Sequence, residues 1–346
     1  MRKNTRVITV NVMLVAMYFM ALDPVSAETK KPTAKPILWR FNCNFSPEGW
    51  SSKGEKLFCE KVKERSGGRL IIEPYFSASL GFKSTEALSV IRKGLVEMNQ
   101  LTGGATRGED PFVAFTDQAF LWSDQDEALY WFLNKYMPVL NKRLEKKWNC
   151  RALVAEVWPG NVELYSKEPI RTFEDWQGLR VRTWGGPVMD ALKAIGAEPM
   201  TVDVSELYTA LQRGMISAAI TSFTSATEAH FWEVLNYVNR FIISHNPWWI
   251  AVNLTAFNEL PNDLQKIFLD EAEALQDWMI AHRNLETFVR LKMLTDGGMK
   301  VVHPDPSFYD KAIPLVQPVW HRSAKEAGPE AGKLLEELLK ERKKHR

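Results

Sequence analysis

Residues 173–223 read FEDWQGLRVRTWGGPVMDALKAIGAEPMTVDVSELYTALQRGMISAAITSF. After a turn at Gly178, basic and apolar side chains alternate, which predicts a short strand with Arg180 and Arg182 on one face. A helix is predicted to follow from about residue 187 to residue 195. The stretch therefore begins as an α/β unit and carries an arginine near the end of its first strand.

The second half of this stretch predicts another helix and then another strand. Asp203 opens the helix with Glu206 three residues later, which is a capping-box arrangement. The apolar run 215–220 predicts the next strand. The unit therefore reads strand–helix–helix–strand, and the hydroxyl groups of Thr221 and Ser222 are expected just past its last strand.

Three motifs in this order resemble the extracytoplasmic solute-binding proteins of tripartite ATP-independent periplasmic (TRAP) transporters. They are a GLRVR strand at residues 178–182, a GAEP turn at residues 196–199 and the helix SELYTALQRG at residues 205–214. The resemblance covers nearly all of the chain after its first segment, including Gly67-Gly68-Arg69 and Leu80-Gly81. Each motif alone is common, whereas the ordered combination is typical of this family.

The resemblance implies an α/β, two-domain periplasmic-binding-protein-like fold with an interdomain cleft and a long domain-spanning helix. Domain I would hold residues 36–158 and about 248–285, and domain II residues 159–247 and about 286–340. The implied function is to capture an organic acid, a carboxylate, and to deliver it to the membrane permease subunits of a TRAP transporter. An extracytoplasmic solute receptor for signalling is the alternative. No cofactor is implied.

The first 27 residues predict a secretory signal peptide. Basic residues at positions 2, 3 and 6 precede a mostly apolar run at 7–22, and Val25-Ser26-Ala27 fits a cleavage site for small residues. The alternative is an uncleaved membrane anchor, for which the apolar run is short. The sequence therefore favours export to the periplasm.

The charge balance indicates no nucleic-acid partner. The chain has 44 basic and 42 acidic residues. Loss of the predicted signal peptide would remove three basic residues and one acidic residue, which leaves no formal net charge. The length is sufficient for two domains.

The segment after the signal peptide predicts alternating strands and helices. Strands are expected at 37–41, 69–73 and 95–101, with helices at 50–65 and 84–93. Such a series predicts a largely parallel sheet, whose ligands lie beyond the carboxyl ends of the strands. The candidate pocket loops are therefore residues 45–50 and Thr102-Gly103-Gly104, although the glycines could serve tight turns alone. The absence of GxGxxG and Walker motifs argues against nucleotide binding.

The rest of the chain predicts long helices around one more strand. A single helix is expected over 124–147 and a strand over 152–157, interrupted at 158–161 and resumed at 162–165. The resemblance makes this break the first crossing between domains and places the second at about 246–253. The remaining expectations are a long helix from 262 past 290 and a helical segment at 310–343 that Pro314 and Pro318 interrupt.

Thirteen tryptophans are many for a chain of this length. Several fall at predicted strand or loop ends: Trp50, Trp122, Trp158, Trp184, Trp248 and Trp249. Core packing explains any single one of them, whereas the group suggests an aromatic-lined cleft that shields a ligand from water.

Arg182 is the candidate ligand clamp. The resemblance implies that it binds the ligand carboxylate bidentately, while the structural alternative is an ion pair inside the protein. Some relatives carry a second arginine about twenty residues upstream, but residues 158–163 contain no basic side chain. This favours a ligand with one dominant carboxylate and an apolar or aromatic body over a sugar acid or a small dicarboxylate. Trp158 and Asn161 are candidate contacts from this region.

Thr221, Ser222 and Phe223 stand near a position where relatives place a ligand-binding asparagine. The first two could bind the ligand through their hydroxyl groups, and Phe223 could pack on it. The alternative is that Ser222 simply caps the next helix.

Motifs for metal binding and catalysis are missing from the sequence. Cys43, Cys59 and Cys150 have no zinc-site spacing. Three cysteines leave at least one thiol free, and a disulfide between Cys43 and Cys59 is the alternative to burial as small hydrophobic residues, which is the favoured interpretation. The histidines after residue 200 are scattered, and HExxH and GxSxG do not occur. The sequence therefore predicts a binding protein, not an enzyme.

Overall fold

The computed structural model describes residues 35–158, 162–184, 186–202, 204–245 and 247–345. The predicted signal peptide, Asn161 and the expected capping residue Asp203 lie outside these ranges, and their predicted roles stay predictions. Among the described residues, no helix is both long and apolar enough to cross a membrane.

Two sheets contain all the strands of the described chain. The strands are β1 (Ile37–Asn42), β2 (Leu70–Tyr75), β3 (Met98–Thr102), β4 (Cys150–Glu156), β5 (Val162–Ser166), β6 (Arg180–Thr183), β7 (Glu198–Thr201), β8 (Ala218–Ser222), β9 (Tyr237–Ser244), β10 (Trp248–Asn253) and β11 (Lys300–Val302). The first sheet has the order β2-β1-β3-β10-β4, and the second has the order β11-β9-β5-β8-β6-β7.

The helices cover the sheets and connect them. They are α1 (Trp50–Arg65), α2 (Ala87–Arg92), α3 (Pro111–Ala114), α4 (Gln125–Trp131), α5 (Met137–Trp148), α6 (Gly186–Ala194), α7 (Val204–Gln212), α8 (Phe223–Glu228), α9 (Leu254–Asn258), α10 (Asn262–Asp296), α11 (Ser307–Ala327) and α12 (Pro329–His345).

The first sheet is mixed, and the prediction of a largely parallel sheet was therefore wrong in part. β1 runs parallel to β2 and β3, as the alternating strands and helices require. β10, however, inserts between β3 and β4 and runs antiparallel to both. It reaches this place from the far end of the sequence, and local patterns cannot reveal such a partner.

The second sheet contains a strand that the sequence did not predict. β7 pairs in parallel with β6 over residues that were interpreted as a turn because of Gly196 and Pro199. Pro199 is tolerated because β7 is an edge strand, where a missing N–H faces no neighbour. β5 does not resume β4, since the two strands belong to different sheets.

Helix α10 joins the two sheets. It runs for 35 residues, which corresponds to about 52 Å. Phe268 and Leu275 in its first half pack into the core of the first sheet, and Leu294 near its end packs into the core of the second. The prediction of a long helix that continues past residue 290 is confirmed.

Two helical predictions need correction. The helix expected over 124–147 consists of α4 and α5 joined by a π-helical turn at Phe132–Tyr136. Pro314 and Pro318 do not interrupt α11, because both rings lie on its exposed face while Val316 and Trp320 anchor the opposite face in the core. This packing offsets the lost backbone hydrogen bonds.

One hydrophobic core is shared by both sheets. It includes Leu101 and Trp249 of the first sheet together with Val181, Ile220 and Phe241 of the second. The cysteines lie in the cores as well, where all three are buried and free. The two sheets are therefore in contact in this conformation.

Candidate functional site

The carboxyl ends of three strands lie along one edge of the second sheet. β6 runs parallel to β8, and β5 runs antiparallel to both β8 and β9. Thr183, Ser222 and Ser244 therefore end their strands at the edge where Val162 begins β5. The chain enters from β4 and leaves for β10 at this same edge, so the edge faces the first sheet.

Arg182 lies one residue before this edge and is only 6% exposed. Its Nε donates a hydrogen bond to the carbonyl oxygen of Val202 at 3.0 Å, and its Nη1 donates to that of Ile220 at 3.3 Å. The two contacts fix the plane of the guanidinium group. A fixed plane is the geometry that bidentate recognition of a carboxylate requires.

Arg180 provides a comparison on the same strand. It begins β6, is exposed, and donates from Nη2 to the carbonyl oxygen of Gly214 at 3.3 Å. The strand alternates as predicted, but only Arg182 is buried at the edge. Arg180 lies at the opposite end of the strand, and it adds little local field to the edge because solvent screens it.

β8 extends through Thr221 and Ser222, so both residues lie inside the strand and not past its end as expected. The Oγ of Ser222 accepts a hydrogen bond from the backbone N–H of Ser225 at 3.2 Å and caps α8. Capping was the structural alternative for Ser222. Thr221 lies opposite Glu163 on β5 and is 7% exposed.

The sequence did not reveal a second arginine near this edge. Arg240 on β9 pairs with Glu163 at 2.8 Å, and its guanidinium carbon lies 5.2 Å from the ring centre of Phe223. Phe223 itself is fully buried at the start of α8. Because 77 residues separate Arg240 from Glu163, no local pattern could have indicated the pair.

Three aromatic rings meet at the facing edge of the first sheet, and we call them the aromatic wall. The ring centre of Phe45 lies 4.8 Å from that of Trp158 and 5.2 Å from that of Trp248, in edge-to-face geometry. Phe45 and Trp158 are half-buried, while Trp248 is fully buried. The predicted clustering of tryptophans at strand ends thus has a counterpart in Trp158 and Trp248.

Other tryptophans with predicted roles in the cleft lie in the core. Trp249 packs between Phe132 and Tyr136 on the opposite face of β10 from Trp248. Trp50 begins α1 inside the core of the first sheet, and Trp122 packs on Trp131. These positions match the core-packing interpretation.

The predicted pocket loop after β3 lies against the second crossing of the chain. Thr102 pairs with Trp248, and the backbone N–H of Gly103 donates to the carbonyl oxygen of Pro247 at 2.9 Å. The hydroxyl group of Thr106 donates to the carbonyl oxygens of Thr102 and Gly103. This loop is therefore a tight turn that also abuts the second crossing of the chain.

Asp117 is a buried carboxylate at this contact, and the sequence analysis missed it. Its Oδ1 accepts a hydrogen bond from Ser244 at 2.6 Å, and its Oδ2 accepts one from the indole N–H of Trp184 at 3.3 Å. Burial raises the pKa of Asp117 to about 6, although both hydrogen bonds lower it. An aspartate inside the apolar run VAFTDQAFLW was the signal that could have identified it.

A charged cluster in which Arg283 and Glu156 are buried and Asp126 is exposed lies where the chain crosses between the sheets. Arg283 of α10 donates to Glu156 at 3.3 Å and to Asp126 at 2.7 Å. Burial raises the pKa of Glu156 to about 7 despite the opposing charge of Arg283. Burial also lowers the pKa of His245 to about 3. The backbone N–H of Trp158 donates to the carbonyl oxygen of His245 at 3.2 Å and ties the two crossings together.

Comparison with known proteins identifies the family. A sequence model of DctP, the bacterial extracellular solute-binding protein family 7, matches residues 41–327. The chain belongs to this family. The predicted resemblance to TRAP solute-binding proteins is confirmed, and so is the expectation of a binding protein instead of an enzyme, because family 7 consists of solute-binding proteins.

Relatives of this family 7 protein include a solute-binding protein of Sulfitobacter sp. (strain NAS-14.1), which is 27% identical over 296 residues. The match covers 84% of this chain and 88% of that protein. A TRAP periplasmic solute-binding protein of Ochrobactrum anthropi, whose C-terminus occupies its ligand-binding pocket, superposes with a TM-score of 0.81 at 23% identity. It covers 89% of this chain and 96% of its own.

A second solved structure is DctP7 of Bordetella pertussis, an extracytoplasmic solute receptor that binds pyroglutamic acid. It superposes with a TM-score of 0.76 at 22% identity and covers 87% of this chain and 99% of its own. These likenesses confirm the predicted α/β, two-domain fold with its domain-spanning helix. Within the described residues, no group of histidine, cysteine, aspartate and glutamate could hold a metal ion.

Proposed function

We propose that this family 7 protein binds a small organic acid by its carboxylate group and delivers it to the membrane permease of a TRAP transporter. The observation that carries the proposal is Arg182, a buried guanidinium group at the sheet edge whose plane two backbone carbonyls fix. Guanidinium groups held in one plane are the side chains that recognise carboxylates bidentately in proteins. Low exposure strengthens the attraction because little water screens it.

The facing aromatic wall suggests the rest of the ligand. Phe45 and Trp158 remain half-buried, so their rings can cover an apolar or aromatic body. Thr221 lies beside the carbonyl oxygen that Arg182 contacts and can donate a hydrogen bond to the same ligand group. The pyroglutamic acid bound by DctP7 is likewise a compact carboxylic acid.

Delivery to a permease requires release as well as capture, and we assign both to movement of two domains. Domain I would comprise residues 36–158 and about 248–285, and domain II residues 159–247 and about 286–340. The two crossings and α10 are their covalent connections. Hinge bending at these connections would open the edge that carries Arg182.

The site of action is proposed to be the periplasm, with residues 1–27 removed on export. Intact-mass measurement on protein from a periplasmic extract should find a chain that begins at Glu28. Full-length protein recovered from the membrane pellet would contradict the cleavage.

A thermal-shift screen of organic acids, followed by calorimetry, tests the proposal. At least one carboxylate should raise the melting temperature and bind with a stoichiometry of one. The neutral amide of the same acid is the matched control and should bind far more weakly, because it lacks the charge that Arg182 recognises. Equal binding of the acid and its amide would refute the assignment.

A further inference from the structure

Helix α10 has a second apolar stripe besides the one that anchors it in the cores. Phe268, Leu275 and Leu294 form the buried stripe. The opposite face of a surface helix is usually polar. On α10 that face carries a row of apolar side chains, which we call the exposed seam: Ala274, Trp278, Ala281, Leu285 and Phe288.

The exposed seam is open to solvent along its length. Leu285 is 58% exposed and Phe288 is 66% exposed. Both alanines are exposed as well, and Trp278 is half-buried. Single apolar side chains on a surface are common, whereas a contiguous row of them marks a surface on which a partner docks.

The spacing of the seam indicates what kind of partner fits it. Successive members are separated by four, three, four and three residues. This is the spacing of a coiled coil, which averages about 3.5 residues and lets each side chain insert between those of a facing helix. The exposed seam therefore fits a second helix.

The seam is complementary to itself when a second copy lies antiparallel to it. A twofold axis between residues 278 and 281 would bring Trp278 of one copy onto Ala281 of the other, and Leu285 onto Ala274. Each large side chain is then opposite a small one, which is how facing layers interdigitate. A parallel arrangement would instead place Trp278 on Trp278 and Ala281 on Ala281, so that the layers would alternate between crowded and empty.

The antiparallel arrangement also provides a place for the ring of Phe288. That ring would lie opposite Glu271, where α1 and α10 border an apolar groove of about 270 Å³. A cavity of about 150 Å³ already holds a benzene molecule, so the groove has room for a phenyl ring. The groove is lined mainly by Gly54, Leu57, Phe58, Leu275 and Trp278.

Charges at the two ends of the seam match the same arrangement. Lys266 and Asp270 form an ion pair before the seam, and Lys292 and Asp296 form one after it. Antiparallel helices reverse the order of one pair against the other, so Lys292 of one copy approaches Asp270 of the second, and Asp296 approaches Lys266. A parallel arrangement would bring lysine beside lysine and aspartate beside aspartate, which is unfavourable.

We infer that the exposed seam of α10 binds the seam of a second copy of this chain, antiparallel and about a twofold axis, so that the protein dimerises. A twofold interface uses the same surface on both copies, which requires a self-complementary surface of this kind. The inference goes beyond the proposed function, because the seam contains none of the residues proposed to bind the ligand.

Sedimentation equilibrium without ligand tests the dimer. Over about 1–100 µM protein, the wild-type chain should show a monomer–dimer equilibrium. Leu285→Glu/Phe288→Glu should weaken the dimer at least about hundredfold, because it places carboxylates in an apolar interface. Leu269→Glu/Met215→Glu is the matched control, since it makes the same change at two exposed side chains outside the seam. It should alter the dissociation constant by less than about twofold, and circular dichroism should find all variants folded.

Cross-linking tests the antiparallel orientation. All three native cysteines are buried, so a cysteine introduced on the seam provides the accessible thiol. Ala274→Cys and Leu285→Cys are made as separate proteins and oxidised with diamide, which takes two electrons and two protons from a pair of thiols. A mixture should form a linked heterodimer, which mass spectrometry recognises. Neither variant alone should link, because its two thiols would lie about 16 Å apart along the helices, too far for a disulfide.

Three results would overturn the inference. The first is a wild-type chain that stays monomeric over the whole concentration range, and the second is a dimer that Leu285→Glu/Phe288→Glu leaves within about twofold of wild type. The third is efficient linking of either cysteine variant with itself, which would indicate parallel seams. Each result leaves the proposed function intact, because binding of an acid by Arg182 is measured separately by calorimetry.

Discussion

The two sheet edges that face each other differ in chemistry. The first sheet presents the aromatic wall of Phe45, Trp158 and Trp248, whereas the second presents Arg182 and, nearby, Arg240. An apolar surface excludes water, and a charged contact opposite it gains strength because the local dielectric constant falls. The difference indicates a division of roles, in which one edge covers the ligand and the other selects its charge.

The acids at the meeting of the sheets preserve this division. Burial raises the pKa of Asp117 to about 6 and that of Glu156 to about 7, so both favour their neutral forms more than ordinary carboxyl groups do. Glu156 is the cross-strand partner of Trp248 in the aromatic wall, so its raised pKa keeps that edge less charged.

The largest expected effect on ligand affinity comes from removal of the Arg182 guanidinium group. Arg182→Ala should weaken binding of the acid found in the screen by about 2–5 kcal/mol, or roughly 30- to several-thousand-fold. Arg182→Lys should also bind poorly, because ammonium cannot reproduce two parallel donors. Calorimetry on both variants measures the loss.

Arg180→Ala is the matched control, since Arg180 lies on the same strand but is exposed. It should change the affinity by less than about twofold, which corresponds to roughly 0.4 kcal/mol. If Arg182→Ala remains folded and binds as well as Arg180→Ala, then Arg182 is a structural residue and the site lies elsewhere.

The next largest effect is the pH dependence of stability that Asp117 causes. Its pKa is raised by burial from 3.8 to about 6, so this conformation binds the proton more tightly than an open or unfolded one. The carboxyl group therefore favours this conformation most at low pH, and the advantage is lost as the pH rises from about 4 to about 6. The full difference corresponds to at most about 3 kcal/mol.

Asp117→Asn removes this titration. The melting temperature of the variant minus that of wild type should rise between pH 4 and pH 7, because only the wild-type protein bears the cost of an ionised buried group. The difference between two proteins cancels other groups, including His245, whose lowered pKa acts in the opposite direction. A flat difference across this range would count against the assignment to Asp117.

A steric clash introduced between the two edges should have a smaller effect on stability. A Cβ on Gly104 would lie 2.8 Å from the Oδ2 of Asp117 and 3.5 Å from the indole nitrogen of Trp184. Gly104→Ala should therefore destabilise the protein by about 1–3 kcal/mol. Gly108→Ala meets no atom within 4 Å and should be nearly neutral. Denaturant unfolding compares the two variants. Equal midpoints would show that Asp117 and Trp184 move to accommodate the methyl group without loss of stability.

The smallest effect is expected from the aromatic wall. Trp158→Ala removes its edge-to-face contact with Phe45 and should weaken ligand binding by about 0.5–1.5 kcal/mol. Trp278→Ala is the control, because Trp278 is also half-buried but stacks on His282 of α10. Calorimetry should find the loss only for Trp158. A loss as large as that of Arg182→Ala would remove the proposed division of roles.

The sequence predicted what depends on local pattern. Alternation places Arg182 on a strand, and the continuous periodicity after residue 262 predicts α10, because both signals come from neighbouring residues. Asp117 and Ser244 are 127 residues apart, however, and no pattern in the sequence joins them. The same holds for Arg240 and Glu163. Contacts of this kind arise only when the sheets have formed.

Local signals also failed where the tertiary structure overrode them. Pro199 favoured a turn, yet its position on an edge strand makes its missing donor harmless. Pro314 and Pro318 predicted interruptions, but the buried face of α11 keeps that helix continuous. In both cases the position of the proline in the tertiary structure offsets its backbone preference.

The hydrogen bond from Trp158 to His245 has a mechanical consequence. Two chain segments that are tied side by side behave like a narrow strip, which bends easily across its width but resists torsion. The two sheets should therefore rotate about a single axis that runs along the strip. Helix α10 is anchored in both cores and must bend with each rotation. The elastic energy stored in the bent helix would then favour a return to the conformation described above.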